Sequence, residues 1–445
     1  MKTVKCFNGF PAFLLAFVIL TGISAAQTSK GSIAGTVKDA SGGLVPGASI
    51  TVTSTALGAS RELVSDNEGQ FRVDALLPGT YKIKVSVSGF SDLEIAHVEV
   101  RSAATATVNA VLEVSGRTES VVVSAGVEQE LQTQSGDLSG NITRTEVAEL
   151  PIGNLNPITL VLTLPGVNQP ATRDDFTNGV GVSVNGTRPR GNNFLIDGQS
   201  NNDLSISGQA FQPGNPEAIA EVKIVTNSYS AEFGKGGGSV TNVVTRGGTN
   251  DFHGAAWDLV RNSALKAVDA SDKAPAGNID KKPVEVNNTF GFSFGGPAVK
   301  NRLFFFGTAQ WDRFRSTASD NALRLPTEAG VAALKSLPAN PRVDALLSGM
   351  GDLRGDPNVS RSTIGLGFGR PPVETGLVTP SGISQFSNAY ETSVRGDYLP
   401  TNADTLSVRY LQSNQTFAPD TLNNPGQLPG FRTQQGGPSK ILSSS

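Results

Sequence analysis

Residues that build metal centres and covalent cross-links are scarce in this sequence. Among 445 residues there are one cysteine, Cys6, and two histidines, His97 and His253. These numbers exclude zinc ribbons, Cys/His metal clusters and disulfide scaffolds. No nucleophile–base pair stands out, and two histidines leave little with which to build one. We therefore predict no catalytic residues, no metal ligands and no cofactor, and hence no enzyme.

The content of charged residues is also low. They make up 17% of the chain, with 36 Lys and Arg against 39 Asp and Glu and a formal net charge of −3, whereas soluble globular proteins have roughly 25%. The chain has no run of Lys or Arg, which argues against nucleic acid as a partner. The 50 glycines and 25 prolines are too few for a low-complexity chain. This turn-rich and weakly charged profile favours β architecture.

Long apolar runs are missing except at the start of the chain. Two lysines precede an apolar stretch at residues 10–23, and small residues follow it. This pattern predicts a signal peptide, residues 1–26, with cleavage between Ala26 and Gln27. A membrane anchor is the alternative, but the run is short for a spanning helix. No later stretch reaches the ~18 apolar residues of a transmembrane helix, so an exported protein of this kind would enter a membrane as a closed barrel.

Residues 27–115 have the period-2 alternation of strands with one buried face. Turn signals recur about every ten residues, which is typical of a sandwich of about seven short strands. The pattern contains Gly35, Val37, Asp39, Pro46, Gly47, Ala48, Asn67, Gly69, Phe71, Leu77, Pro78, Gly79 and Tyr81. This series resembles the carboxypeptidase regulatory-like domain. The resemblance implies a transthyretin-like or carbohydrate-binding-like β-sandwich without peptidase activity, because the zinc-ligand histidines are absent. A sugar-binding role and a spacer role both stay open.

A short β-branched run lies between polar segments in residues 116–140. It consists of Glu119, Ser120, Val121, Val122, Val123, Ser124 and Ala125. Such a run can add as an edge strand to the sheet of another protein, with the backbone supplying the affinity. It can equally form the last strand of the preceding sandwich. Composition alone leaves both interpretations open.

Residues 141–250 predict a compact α/β domain. Helices are expected at 143–150 and, with Asn156 as N-cap and Pro157 as first residue, at 157–164. Strands are expected at 180–184, 193–196, 221–226 and 239–245. The glycine-rich stretch at 234–239 matches no phosphate-binding motif and predicts tight turns between these strands.

The same segment contains an ordered series of motifs. They are Glu149-Leu150-Pro151, Leu164-Pro165-Gly166-Val167, Val184-Asn185-Gly186, Asn192-Asn193-Phe194-Leu195-Ile196-Asp197-Gly198, Tyr229-Ser230-Ala231-Glu232-Phe233-Gly234 and Thr245-Arg246-Gly247-Gly248-Thr249-Asn250. The series resembles the plug domain of TonB-dependent outer-membrane receptors, and Asn185, Gly186, Asn193, Asp197 and Gly198 are its motif residues. Together with the N-terminal sandwich it is similar to the Oar-like branch of that family.

The resemblance implies energy-coupled uptake across the bacterial outer membrane. In this family the plug closes a barrel, and periplasmic TonB, driven through ExbB and ExbD in the inner membrane, pairs with a TonB box ahead of the plug. Position therefore makes residues 119–125 the TonB-box candidate. The implied partners are TonB with ExbB/ExbD, outer-membrane lipid and an unknown substrate. Siderophore, peptide, protein and carbohydrate all remain open as that substrate.

In residues 251–445, apolar side chains alternate with small or polar ones along five strand candidates. Phe290, Phe292 and Phe294 share one face, and Leu406, Val408 and Tyr410 lie opposite Thr405, Ser407 and Arg409. Long connections alternate with short ones, as in outer-membrane barrels. Arg395-Gly396-Asp397 lies inside a predicted strand and is given no function. A plugged barrel has about 22 strands, so we expect a C-terminally truncated chain that forms no pore by itself.

The predicted fold is mostly β. It combines an N-terminal transthyretin-like β-sandwich, an α/β plug domain and the first strands of a transmembrane β-barrel. The alternative to an outer-membrane receptor is a secreted or surface-attached β-rich protein for glycan binding or adhesion, without transport activity.

Overall fold

A computed structural model describes most of the chain. The described residues are 30–114, 120–124, 138–150, 156–169, 181–205, 208–229, 233–234, 236–267, 284–317, 323–367, 369–378, 385–402, 404–418 and 434–444. The predicted signal peptide with Ala26 and Gln27 lies outside them, as do Glu119 and Ala125 of the TonB-box candidate.

The first domain, here called the sandwich, consists of two packed sheets. Its strands are β1 (Gly31–Asp39), β2 (Ser49–Ser54), β3 (Ser60–Val64), β4 (Gln70–Leu76), β5 (Gly79–Ser86), β6 (Asp92–Val100) and β7 (Thr105–Leu112). One sheet has the order β4-β1-β7 and the other contains β3-β2-β5-β6. The β1–β7 pair is parallel, whereas the other pairs among these seven strands are antiparallel. The predicted sandwich of seven strands is confirmed.

Alternation along each strand explains why this sandwich forms. In β5 the side chains of Tyr81, Ile83 and Val85 are at most 5% exposed. Between them Lys82 and Lys84 point outward and form ion pairs of 2.7 and 2.9 Å with acids of β6. Full burial of one large apolar side chain contributes about 1.5–3 kcal/mol, so the apolar face dominates the stability of this sheet.

The strand candidate ahead of the plug adds to the sandwich. Ser120–Ser124 forms β8, which pairs in parallel with β6 from Asp92↔Ser120 to Ala96↔Ser124. β8 is the edge strand of the sheet β3-β2-β5-β6-β8. The structure therefore places this run at the sandwich edge, which is one of the two arrangements that its composition allowed.

The second domain, here called the plug, has one mixed sheet flanked by short helices. Its elements are β9 (Leu138–Thr143), α1 (Arg144–Glu149), β10 (Val167–Asn168), β11 (Ser183–Val184), β12 (Asn193–Ile196), β13 (Gln199–Ser200), β14 (Ile219–Asn227) and β15 (Val240–Thr245), with 3-10 helices at Pro157–Thr163, Pro189–Gly191 and Pro216–Ala218. The sheet order is β13-β12-β15-β14-β9. β10 and β11 form a separate small pair.

The helices and strands of the plug lie near their predicted positions, but some differ from the prediction in type or length. Thr143, at which the predicted helix was expected to begin, is the N-cap of α1 and forms a capping box with Glu146. The second predicted helix is a 3-10 helix, capped by Asn156 as predicted, and β-branched residues fill four of its seven positions. β9 begins at Leu138, inside the segment that we interpreted as linker, and the strand expected at 180–184 is confined to Ser183–Val184.

The third part of the chain forms a six-stranded antiparallel sheet, here called the barrel sheet, with one insertion. Its elements in chain order are β16 (His253–Asn262), β17 (Glu285–Val299), β18 (Leu303–Ser316), β19 (Leu323–Pro326), α2 (Glu328–Lys335), α3 (Pro341–Met350), β20 (Ser362–Ile364), β21 (Val373–Val378), β22 (Gln385–Tyr398), β23 (Leu406–Ala418) and β24 (Gln435–Ser444), with a 3-10 helix at Ser263–Leu265. The sheet order is β16-β17-β18-β22-β23-β24.

The barrel sheet has one strand more than the five predicted for this region, and the insertion adds three short strands. β24 pairs with β23 over ten residues, from Phe417↔Gln435 to Val408↔Ser444. Its sequence, rich in Gly and Ser with a proline, lacks clear alternation, so the pairing depends on the neighbouring strand rather than on local preference.

The two faces of the barrel sheet differ in polarity, as predicted. Phe292 and Phe294 are 52% and 51% exposed, whereas Ser293 between them is 4% exposed. In β23 Val408 is 47% exposed and Arg409 only 4%. Phe290 and Trp311 stack across two strands of the outer face, with ring centroids 5.7 Å apart. Within the described ranges, no helix has both the length and the apolar character to cross a membrane.

Connections within the barrel sheet alternate between long and short, as expected. The turns that join β17 to β18 and β22 to β23 are short, and the other three connections are long. The connection from β18 to β22 contains the insertion, whose sheet has the order β19-β21-β20. Leu325, Val331 and Met350 form a separate apolar core inside the insertion.

Candidate functional site: the contact between plug and barrel sheet

Two of the predicted plug motifs are tight turns. Asn185 and Gly186 have φ values of 50° and 78°, and Asp197 and Gly198 have 48° and 79°. Ile196 pairs with Gln199 across the second turn, so Asp197 and Gly198 form a two-residue hairpin loop. Type I′ turns require positive φ at both central residues, which Asn-Gly and Asp-Gly tolerate best. The turn therefore explains the motif and brings a carboxylate to the tip of a plug hairpin.

The carboxylate of Asp197 joins the plug sheet to the barrel wall. Its Oδ1 accepts a 2.7 Å hydrogen bond from the Thr245 N–H, and its Oδ2 accepts one of 2.6 Å from the Thr245 hydroxyl. From the barrel side, Arg409 Nη1 of β23 bonds the same Oδ2. Arg395 Nη1 of β22 lies 3.8 Å from it. Asp197 thus connects the last plug strand to two adjacent barrel strands.

A second carboxylate balances the charge of this cluster. Asp397 of β22 accepts two 3.0 Å hydrogen bonds from Arg395 Nε and one of 2.6 Å from the Ser407 hydroxyl. The side chains of Arg395, Asp397 and Arg409 are 11%, 3% and 5% exposed. Two cations and two carboxylates therefore share a nearly dry space. We call Asp197, Arg395, Asp397 and Arg409 the ion-pair network.

The sequence did not identify Arg395 and Asp397 as members of the ion-pair network. The tripeptide was given no function, although its strand had been predicted. The available signal was the period of two, which places Arg395 and Asp397 on one face of β22. Opposite charges on one face of a membrane strand fit the interior of a barrel and not its lipid face. Arg409 was predicted on the polar face of its strand, opposite Val408, and its burial agrees with that prediction.

A second group of contacts lies along β18 and β22. The Gly214 N–H donates to Glu391 Oε2 at 2.7 Å, and Gln310 Nε2 donates to the Gly214 carbonyl at 3.0 Å. Asn215 Nδ2 donates to the Thr308 hydroxyl at 2.8 Å. These three barrel side chains are at most 8% exposed. The plug loop is thus held to the wall by hydrogen bonds, while Leu411 of β23 and Ile441 of β24 pack against the apolar core of the plug.

Other motif residues act inside the plug. Asn185 Nδ2 donates to the Thr226 carbonyl at 3.0 Å, which ties the first turn to β14. Asn193 Nδ2 donates to the Gly234 carbonyl at 2.8 Å. Gly198 donates its N–H to Asn242 Oδ1 at 3.0 Å. The predicted motif therefore divides into one residue that contacts the barrel, Asp197, and residues that shape the plug.

The chemistry of this site is ion pairing and hydrogen bonding. Among the residues that the structure describes, no group of three or more His, Cys, Asp or Glu side chains could hold a metal ion. The network has acids and bases in equal number, and each carboxylate already accepts hydrogen bonds from several donors. It can hold two protein parts together and release them.

Three family models match this chain in series. A carboxypeptidase regulatory-like domain matches residues 32–113, a TonB-dependent receptor plug domain matches residues 132–241, and an outer-membrane β-barrel domain matches residues 244–442. This order of domains, with the plug seated against the barrel sheet, defines an outer-membrane receptor. The chain thus contains the plug and barrel domains of the TonB-dependent receptor family, and these domains indicate a location in the outer membrane. This is a family of transporters and not of enzymes.

Individual relatives agree with this assignment. The chain is 29% identical over 315 residues to the TonB-dependent transporter Oar of Myxococcus xanthus, a match covering 68% of this chain and 29% of Oar. It is 28% identical over 158 residues to the ferrienterobactin receptor of Escherichia coli, covering 33% of this chain and 20% of that receptor. The chain thus spans less than a third of the length of these relatives.

Two solved receptor structures are similar to this chain in part. The ferric enterobactin receptor PfeA of Pseudomonas aeruginosa matches 69% of this chain and 38% of its own, with 14% identity and a TM-score of 0.38. The siderophore receptor PirA of Acinetobacter baumannii matches 68% of this chain and 44% of its own, with 14% identity and a TM-score of 0.32.

Proposed function

We propose that this chain works in a TonB-dependent, energy-coupled receptor that takes up a substrate across the outer membrane. The observation that carries the proposal is the ion-pair network, through which a domain of the plug family is held against the inward face of the barrel sheet. A plug held in this way blocks passage until it moves.

The polar part of the contact, which lies beside the apolar side chains of Leu411 and Ile441, supports a movable plug. Burying an ion pair costs desolvation energy that offsets most of its attraction, so such a pair is specific without being very strong. When the plug shifts and water enters, the freed Arg and Asp side chains become hydrated. An apolar contact of the same size would instead expose its whole surface to water. A moderate pull can therefore open the ion-pair network, and the opposite charges guide its closure.

We propose residues 119–125 as the TonB box. Within the described residues, β8 is an edge strand whose far side carries no paired strand. An edge strand of Ser and Val offers unpaired N–H and C=O groups to a partner strand of TonB. Hydrogen bonds that lie side by side along a strand pair resist a pull together. TonB would obtain its energy through ExbB and ExbD.

The proposed substrate is a peptide, a protein, a carbohydrate or a siderophore. The long connections of the barrel sheet lie at the end opposite to its short turns, and in outer-membrane barrels the long loops face outward. Substrate recognition is therefore proposed for that end, which includes the insertion between β18 and β22. Outer-membrane lipid is the proposed partner of the exposed aromatic face.

The test of the TonB box is a proline substitution. Val122→Pro removes one backbone donor from β8 and should abolish binding of the receptor to a purified TonB C-terminal domain. Val122→Thr, which keeps the N–H and the β-branched shape, is the matched control and should bind normally. Unchanged binding by Val122→Pro would end the assignment of this box.

A further inference from the structure

The sandwich is docked on the plug through residues 101–104, the docking loop, which connects β6 to β7. Ser102 at its centre is 0% exposed. Its N–H donates to Glu221 Oε1 at 2.8 Å, and its carbonyl accepts from Lys223 Nζ at 3.0 Å. Its hydroxyl accepts from Asn242 Nδ2 at 3.2 Å. All three polar atoms of this residue therefore bond to the adjacent plug strands β14 and β15.

The next residue holds the docking loop in a conformation that L residues rarely adopt. Ala103 has a φ of 47°, in the left-handed region that disfavours residues with a Cβ. Its side chain packs against plug residues Leu195, Phe233 and Val240. Its carbonyl accepts a further 2.6 Å hydrogen bond from Lys223 Nζ. A strained backbone persists only where its surroundings determine it, so this is a built interface.

A second loop of the sandwich, residues 55–59, contacts the end of the barrel sheet that carries the short turns. The Ala56 carbonyl accepts a 2.8 Å hydrogen bond from the N–H of Asn250, which precedes β16. Asn250 forms two 2.8 Å hydrogen bonds with Asn301 in the β17–β18 turn. A Cβ at Gly58 would overlap Asn301 Oδ1. We call residues 55–59 the rim loop.

The rim contact extends to a second short turn, and the same domain carries β8. Arg61 Nε donates to the Asn402 carbonyl at 3.4 Å, in the turn between β22 and β23. β8 pairs with β6, which ends at Val100, directly before the docking loop. The sandwich therefore contacts the plug, the barrel sheet and β8 through different parts of one pair of packed sheets.

We propose that the sandwich is a clamp, which holds the plug to the barrel rim and which TonB pulls through β8. The clamp stands on the observed contacts, whereas the role of β8 as its handle rests on the proposed function. A plug bound to a domain that is itself bound to the rim cannot leave the barrel until one of the two contacts breaks. A pull on β8 acts on β6 and, through it, on the docking loop.

The clamp is tested by loosening the rim contact and observing the plug. Gly58→Ala places a Cβ against Asn301, whereas Gly42→Ala, with a similar positive φ of 88° and no atom within 4 Å, is the matched control. Hydrogen exchange is measured by mass spectrometry on the receptor in lipid nanodiscs. Because Gly58→Ala breaks one of the two linked attachments, exchange in the docking loop and β14 should become roughly tenfold faster, and it should stay unchanged in Gly42→Ala.

Two results would overturn the clamp. One is faster exchange in Gly58→Ala that stays confined to the rim loop. The other is equal exchange in the two glycine variants. Lys223→Met, which removes two hydrogen bonds to the docking loop from the plug side, provides an independent variant and should accelerate exchange in the docking loop to a similar extent.

The handle is tested in cells with Ser102→Cys, in a chain whose one natural cysteine is Cys6. A maleimide that reaches the periplasm should label this buried thiol several-fold faster in energised cells than after a protonophore, and Val122→Pro should abolish the difference. Equal labelling in both states, with TonB binding intact, would overturn the handle. If the unaltered receptor does not bind TonB, the proposed function is refuted. The hydrogen-exchange experiment would still decide whether the sandwich is a clamp.

Discussion

Replacement of Asp197 by asparagine should loosen the plug from the barrel more than any exposed charge change. The asparagine keeps the shape and an acceptor for Thr245, but it leaves the guanidinium of Arg409, 5% exposed, without its carboxylate. Removing one partner of a buried ion pair costs about 3–5 kcal/mol because the other charge remains buried. Since the isosteric amide retains a hydrogen-bond acceptor, we expect about 3 kcal/mol for Asp197→Asn.

The assay is urea unfolding of the receptor in detergent, in which the protease sensitivity of plug peptides reports how much of the plug is unfolded. The free energy is taken from linear extrapolation. Asp74→Asn is the control, since its 2.8 Å pair with Arg72 has side chains 54% and 63% exposed and contributes at most about 1 kcal/mol. Arg409→Met and the double variant complete a mutant cycle, for which we expect a coupling of about 1–3 kcal/mol. Additive effects, or a loss no larger than that of Asp74→Asn, would refute the network as the attachment of the plug.

Three further predictions concern single side chains. Burial raises the pKa of Glu221. The stability that its protonated form contributes is therefore complete below the ordinary carboxyl pKa of about 4 and is lost as pH rises through the raised pKa. Glu221→Gln should remove this pH dependence from the hydrogen exchange of the docking loop. Burial raises the pKa of Tyr81 to about 12, so Tyr81→Phe should remove the component with the highest pKa from an alkaline absorbance titration. The same variant loses the 2.8 Å hydrogen bond from the Tyr81 hydroxyl to the Leu77 carbonyl, which should lower the stability of the sandwich by about 0.5–1.5 kcal/mol in thermal unfolding. Phe292→Lys, on the exposed face of β17, should destabilise the lipid-inserted form by about 2–4 kcal/mol, the cost of a lysine at the bilayer midplane. The control Val111→Lys, on the sandwich surface, should cost about 0.5 kcal/mol. Both are measured by refolding into liposomes.

Local rules predicted some of the features that depend on local chemistry. Period-2 alternation located β5 and β17. Asp197 and Gly198 were named only through the family resemblance, and the needs of a two-residue hairpin explain their positive φ values. The capping box at Thr143 was not predicted, although it is a local feature whose donors and acceptors lie within one turn of helix.

Features that depend on contacts between distant segments could not be predicted in this way. β24 has no alternation and is a strand because β23 pairs with it. The partner of Ser102 is 119 positions further along the chain, and nothing in the sequence near either residue indicates the contact. Arg395 and Asp397 were visible as charges on one face of a strand, yet their function became evident only with Asp197 placed against them.

The insertion between β18 and β22 has a consequence for the engineering of this chain. Ser316 and Gln385, which flank it, are directly paired across the sheet, so the two strands meet with or without the intervening 68 residues. Since Leu325, Val331 and Met350 give the insertion a core of its own, its packing is independent of the wall beneath it. A protein engineer can therefore exchange this insertion for another of different length while the register of the wall is kept.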